Sequence, residues 1–183
     1  GQYLFMTTKN GTVKKTALAD YANVRASGLI AIKLDDGDEL RWVKQTSGTD
    51  EIIISTALAQ AIRFKETDAR PMGRATRGVR GVRLRPGDLV VGMDVVKPDT
   101  QLLVVMENGY GKRTKVDQFT THARGGVGIK AGVVSEKTGK AIDVRAIENL
   151  SDDLVIVSTN GQVIRQAVKD ISIIGRATQG VRI

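Results

Sequence analysis

Lys15, Arg63, Arg113 and Arg165 follow one another at intervals of 48, 50 and 52 residues. With 28 Lys and Arg among 183 residues, four basic residues out of four at one recurring place exceeds what composition supplies. A solvated position would hold Glu or Gln as readily, and neither occurs. Lys14, Lys65, Lys112 and Lys115 stand beside them. Cations repeated in this way neutralise the phosphates of a polyanion and release its condensed counterions. A second basic set lies in the loops that follow: Arg74, Arg77, Arg80 and Arg83, then His122, Arg124 and Lys130, then Arg176 and Arg182. These loops share a glycine, in Ser27-Gly28-Leu29, Arg77-Gly78-Val79, Arg124-Gly125-Gly126 and Gln179-Gly180-Val181. A glycine column predicts positive φ or a close backbone approach. Arg beside Gly lets a guanidinium and backbone N–H groups reach one phosphate.

Catalytic patterns fail one by one. His122 is the sole histidine, so a His-based metal cluster is excluded and a triad could be built only around one loop residue. Gly109-Tyr110-Gly111-Lys112-Arg113-Thr114 is P-loop-like, but Met106 stands where that motif needs Gly and Arg113 intrudes before the hydroxyl. Asp35, Asp36, Asp38 and Glu39 pair carboxylates around Gly37, the composition of a turn rather than of an acid–base site. Trp42 is expected in the core. No catalytic residue, metal site or cofactor is expected.

The elements that must carry these residues form a repeat. Asn10-Gly11, Asn108-Gly109 and Asn160-Gly161 each lie between two strand-like runs, and Leu58-Ala59 marks a degenerate copy. Asn-Gly in that setting predicts a type I′ hairpin with positive φ at both central residues. The copies start at Leu4, Ile52, Leu102 and Leu154. In the first repeat the predicted strands are Tyr3 to Thr8, Thr12 to Thr16, Gly28 to Leu34 and Glu39 to Thr46. In the second they are Glu51 to Thr56, Ala61 to Lys65, Gly78 to Leu84 and Leu89 to Val96. In the third they are Leu102 to Met106, Gly111 to Lys115, Gly126 to Val134 and Ala141 to Ile147. Leu34-x-x-Gly37-Asp38 matches Leu84-x-x-Gly87-Asp88 at an offset of 50, which supports the register independently. The fourth copy stops just after Gly180-Val181-Arg182. Four strands per repeat predicts an all-β propeller-like array of four-stranded blades in a partial ring. Its blades are expected at about residues 1–49, 50–100, 101–151 and 152–183, the last incomplete. An ordinary β-sandwich would not predict the repeat. A chain ending inside a repeat is expected to be a piece of something longer.

Composition agrees with an anionic partner. Net charge is +8 and the pI is near 9.9, and aromatics are 4%. Proteins that bind single strands stack bases on aromatic rings, so scarce aromatics favour duplex backbone. The chain has no Cys and no apolar run near the ~20 residues of a membrane span. A cytoplasmic, nucleoid-associated location is expected, with no membrane or small-molecule partner.

Over the whole chain the repeats resemble the C-terminal domain of the gyrase A protein, part of the DNA gyrase holoenzyme. The residues behind this are Val13-Lys14-Lys15, Gly111-Lys112-Arg113 and Val163-Ile164-Arg165 after the hairpins. With them go Arg70-Pro71-Met72-Gly73-Arg74-Ala75-Thr76-Arg77-Gly78-Val79, Ala123-Arg124-Gly125-Gly126-Val127-Gly128 and Gly175-Arg176-Ala177-Thr178-Gln179-Gly180-Val181-Arg182. The corresponding domain of topoisomerase IV is the nearest competitor, and a protein-interaction propeller is the rival from another class. The resemblance implies a bacterial β-pinwheel whose blades exchange a strand and whose basic rim wraps duplex DNA. It implies service to ATP-dependent negative supercoiling together with gyrase B and the rest of gyrase A, while breakage and ATP hydrolysis lie in other domains. The family's box, Gln-Arg-Arg-Gly-Gly-Arg-Gly, has only partial counterparts. His122 to Gly128 has Val127 for the last Arg, and Ala75 to Gly81 keeps Arg77, Gly78, Arg80 and Gly81. The box-bearing blade is therefore expected upstream.

Overall fold

The computed structural model describes residues 1–183 and is all-β. Its strands are β1 (Tyr3–Thr8), β2 (Thr12–Ala17), β3 (Leu40–Thr46), β4 (Glu51–Thr56), β5 (Gln60–Lys65), β6 (Val79–Arg80) and β7 (Val90–Val96). They continue with β8 (Gln101–Met106), β9 (Tyr110–Lys115), β10 (Ile129–Lys130), β11 (Ala141–Ile147), β12 (Asp153–Val157), β13 (Val163–Ala167) and β14 (Val181–Arg182).

Each blade begins as a hairpin. The turn closes when Gly11 N–H donates to Thr8 O, Ala59 N–H to Thr56 O, Gly109 N–H to Met106 O and Gly161 N–H to Ser158 O. Only the last turn residue has positive φ: +91° at Gly11, +58° at Ala59, +82° at Gly109 and +80° at Gly161. The expected type I′ turn is thus replaced by a three-residue connection, a four-residue turn ending in a left-handed residue. That geometry needs one positive φ rather than two. The hydroxyls of Thr8, Thr56 and Ser158 accept the N–H groups of Thr12, Gln60 and Gln162 and hold the turn shut.

The sheets run β3-β1-β2-β6, β7-β4-β5-β10 and β11-β8-β9-β14, with β12-β13 as a two-stranded remainder. The fourth strand of a repeat pairs with its own first strand. The third strand leaves its repeat and pairs with the second strand of the preceding one: Val79 opposite Val13, Ile129 opposite Ala61, Val181 opposite Gly111. This exchange corrects two expectations. The third strands are two residues long rather than seven to nine, because only that stretch meets a partner edge. Residues 28–34 are not a strand at all, since by the same rule their partner would be a second strand of a preceding repeat.

Cores form between blades. Ile52 and Ile54 of β4 pack toward the first blade with Phe5, Val13, Phe64 and Met93, and the Phe5 and Phe64 rings lie 6.1 Å apart. Ile53, between them, packs the other way with Leu102, Val104, Met106 and Phe119. Leu103 and Val105 join Ile171 in a third cluster. Alternate side chains leave opposite faces of a strand, so a blade covered on both sides reads as an unbroken apolar run. Burying each such side chain contributes about 1.5–3 kcal/mol. Trp42 is only partly buried, at the margin of the first cluster.

Candidate nucleic-acid interface

The first basic column lies inside the protein. Lys15 is 4% exposed and pairs at 3.6 Å with Glu66, itself wholly buried. It also donates to Glu66 O and lies 4.7 Å over the Tyr3 ring. Arg63 pairs with Glu51 and donates to Val116 O and Phe119 O, both at 3.2 Å. Arg113 is 5% exposed and donates to Ile171 O at 2.8 Å, Lys169 O at 2.8 Å and the side chain of Gln101 at 2.7 Å. In each case acceptors belong to the single 3-10 turn of the next repeat, Glu66–Asp68, Val116–Gln118 or Val168–Asp170, or to residues just after it. The main chain docks at the same place. Lys15, Arg63 and Arg113 bridge Pro71, Thr121 and Ile173, and their carbonyls accept from Met72, His122 and Ile174. The column recurs because a long cation must reach across a blade boundary, which neither a solvated position nor a phosphate contact requires. Arg165 differs: it is exposed and pairs with Asp153.

Lys14 and Lys112 are also buried. The Lys112 ammonium donates to Gly175 O, Arg176 O and Thr178 O at 2.7–3.0 Å. Lys14 donates to Arg74 O, to Thr76 O at 3.3 Å and to Ala31 O at 2.7 Å. Burial, and secondarily the nearby Arg176, pushes the Lys112 ammonium down to about 8. Burial and Arg74 lower Lys14. Three carbonyl acceptors call for three N–H donors, so Lys112 is an ammonium at neutral pH. Ile62 and Ile164 take the equivalent place in the other blades. Lys14, Lys15, Arg63, Lys112 and Arg113 therefore have their charges engaged within the protein and offer no open cation to a ligand.

Part of the second basic set behaves otherwise, whereas Arg74, Arg124 and Arg176 are half-buried and donate to main-chain carbonyls. Arg80, Lys130 and Arg182 are the second residues of β6, β10 and β14, at one register opposite Thr12, Gln60 and Tyr110, and all are exposed. Arg77 and Arg83 are solvent-facing with them, and Arg77, Arg80 and Arg83 line a cleft of about 600 Å³ with Gly11, Thr12 and Gly78. Arg77 pairs at 2.8 Å with Asp35 on the surface. Lys65 and Lys115, last residues of β5 and β9, are exposed as well. The sequence shows the alignment of 80, 130 and 182 once the exchanged strands are superposed. Lys33, exposed at the offset of 50 from Arg83, is a further cation of this edge that the glycine-and-arginine loop pattern does not single out.

Glycine lets the exchanged strand approach. Gly78, Gly128 and Gly180 precede the three short strands with φ of +93°, +80° and +87°. A Cβ at Gly78 would lie 2.5 Å from Val13 O, at Gly180 2.7 Å from Gly111 O, and at Gly128 against Ala61 O. Gly128, not Gly125, is thus the third-repeat member of the glycine column. The carboxylates around Gly37 hold a turn: Asp38 accepts from Asn10 N–H and Glu39 N–H, and Asp88 from Leu58 N–H and Leu89 N–H.

The family model described as "DNA gyrase C-terminal domain, beta-propeller" matches residues 2–47, 50–97, 101–148 and 152–183. This chain belongs to the DNA gyrase A C-terminal domain family. It is 44% identical over 183 residues to the gyrase A protein of Staphylococcus epidermidis and, equally, to that of Staphylococcus aureus, covering 99% of this chain and 20% of each relative. It therefore spans about one fifth of the length of these relatives. Among solved structures, the C-terminal domain of a DNA topoisomerase IV superposes with a TM-score of 0.93 at 25% identity, over 100% of this chain and 57% of that one. A DNA gyrase A C-terminal domain superposes at 0.86 and 30% identity, over 100% and 61%. The strand exchange and the inter-blade lysine and arginine ties are how this gyrase-type domain is assembled here. No helix is long and apolar enough to cross a membrane.

Proposed function

We propose that this chain is a non-catalytic module that binds duplex DNA along the outer edge of its blades and bends it, needing no cofactor of its own. The observation that carries the reading is the recurrence of Arg80, Lys130 and Arg182 at one register on three successive exchanged strands, exposed in each. Phosphate contacts fix position without reading sequence, and cations repeated along a curved edge favour a bent duplex. Arg77, Arg83, Lys65 and Lys115 add to the same field. By kinship with the gyrase A protein, the module would present DNA for ATP-dependent supercoiling by a cytoplasmic assembly of gyrase A with gyrase B. The 44% identity to gyrase A favours that reading over a topoisomerase IV component.

The test is duplex affinity as a function of salt on short and long fragments. A multi-phosphate edge gives an affinity that falls steeply with salt, by about 0.9 in log–log slope per contact, and that rises with duplex length. A weak affinity independent of length, with a stoichiometric protein partner retained after nuclease treatment, would overturn it in favour of a protein-interaction propeller.

A further inference from the structure

The exposed cations of the outer edge do not stand on free loops. Arg124 donates to Arg80 O at 2.8 Å and, through Nε, to Asp68 O at 2.9 Å. Arg176 donates to Lys130 O at 2.9 Å, and its backbone N–H donates to the side chain of Gln118 at 3.0 Å. Arg74 donates to Ile30 O at 3.1 Å. The arginines occupy one position of successive repeats, and residues 30, 80 and 130 occupy another. So at each boundary an arginine from one repeat grips the main chain of the residue that stands on the outer edge of the repeat before it. Further bonds lace these seams: Arg83 N–H to Gly126 O and Gly125 N–H to Gly81 O between the second and third repeats, and Lys33 N–H to Thr76 O between the first and second, at 2.7–2.9 Å.

The grip has a definite chemistry. A guanidinium is a rigid fork that can serve two acceptors at once, whereas an ammonium is a point charge without that geometry. Arg124 uses the fork to join Asp68 O in the 3-10 turn to Arg80 O on the two-residue strand β6. A strand that short has few ladder bonds to hold it (Thr12 and Val13 are its only partners). Without the brace its exposed side chain would point over a wider range.

Building on the duplex-binding reading above, we propose that Arg124 and Arg176 are positioning residues for DNA. They act through the main chain of Arg80 and Lys130 to hold those cations where successive phosphates meet them, and do not take phosphates themselves. Arg74 makes the same brace, but the residue it holds is Ile30, so no cation is aimed by it.

The test uses the full chain with Arg80→Ala, Arg124→Met, Arg124→Lys and the double variant Arg80→Ala/Arg124→Met. Duplex affinity is read across a salt series, with thermal unfolding as the folding control. Arg80→Ala is expected to weaken binding and to lower the salt slope by about one contact. Arg124→Met is expected to weaken binding by about threefold or more. Arg124→Lys is expected to fail to restore it, although it keeps the charge. The double variant is expected to bind no worse than Arg80→Ala alone, because non-additivity marks residues acting through one another. Full rescue by Lys, or losses that multiply in the double variant, would overturn the positioning role and make Arg124 an ordinary phosphate contact. If Arg80→Ala leaves affinity and slope unchanged, the duplex-binding reading of this edge is what fails. Should Arg124→Met unfold at the assay temperature, Arg176→Met against Lys130→Ala decides by the same comparison.

Discussion

Lys15 and Glu66 form an ion pair at 3.6 Å across the boundary between the first and second blades, with both side chains almost wholly removed from water. Glu66 also accepts from the Thr46 hydroxyl at 2.8 Å and from Gly48 and Asp50 N–H at 2.7 Å. A buried pair adds little net stability, but removal of one partner leaves a charge with no compensation. Glu66→Ala is expected to cost about 3–5 kcal/mol, and Lys15→Met/Glu66→Gln to recover part of that loss. Chemical denaturation of the three proteins checks both; equal stability of the single variant and the parent would refute the pair's role.

Arg113 is expected to matter for folding rather than for DNA. Replacement by Met strands the carbonyls of Ile171 and Lys169, which now accept at 2.8 Å. Leaving a buried acceptor unpaired costs about 1–3 kcal/mol. Arg113→Met should lower stability by about 2–4 kcal/mol while the salt slope of duplex binding by the folded protein stays unchanged. Arg165→Ala, which touches only the exposed pair with Asp153, should cost under about 1 kcal/mol. A reduced salt slope for Arg113→Met would return that residue to the DNA-contact set.

The glycines at the equivalent place in the first two repeats should tolerate alanine very unequally. Gly78 and Gly28 both have positive φ, +93° and +77°. Only Gly78 has a backbone oxygen 2.5 Å from the place of a Cβ, while nothing lies within 4 Å at Gly28. Gly28→Ala carries the left-handed backbone cost alone, about 1 kcal/mol. Gly78→Ala adds displacement of β6 from β2, for about 3 kcal/mol or more in total. Melting temperatures of the two variants test the order, and similar losses would contradict the close approach.

Lys112 should leave a mark on stability above neutral pH. Its ammonium titrates near 8 in the folded protein, below the ordinary 10.5 of an unfolded lysine. Between those values the unfolded chain holds more protons, so this group makes stability rise with pH across that window. Below 8 both states carry the proton and the contribution is flat. Subtracting the pH–stability curve of Lys112→Met from that of the parent should give a difference that climbs from about pH 8 to 10.5. A difference that is flat, or that falls, would show that the carbonyl cage outweighs burial.

The repeat, its hairpins and its all-β class were legible in the chain because they rest on local rules. Thr8, Thr56 and Ser158 mark the turn starts, and Gly11, Gly109 and Gly161 supply the positive φ. The alternation of Ile52, Ile53 and Ile54 between two cores follows from strand geometry once both faces are covered. The family resemblance was legible for a different reason: residues such as Lys15, Lys112 and Arg113 recur because each makes a tie between blades.

The resemblance implied that blades exchange a strand; what periodicity left open was which strand joins which repeat and where each cation points. Val79 pairs with Val13 and not within its own repeat, a choice made by packing over a long separation. That choice turned Lys15, Arg63 and Arg113 inward, where the next repeat's carbonyls and the acceptors across the hairpin take up their charge. It also brought Arg80, Lys130 and Arg182 outward to a single register. Periodicity reports that a position recurs. Only the tertiary structure reports whether it recurs because it faces a neighbouring blade or because it faces water.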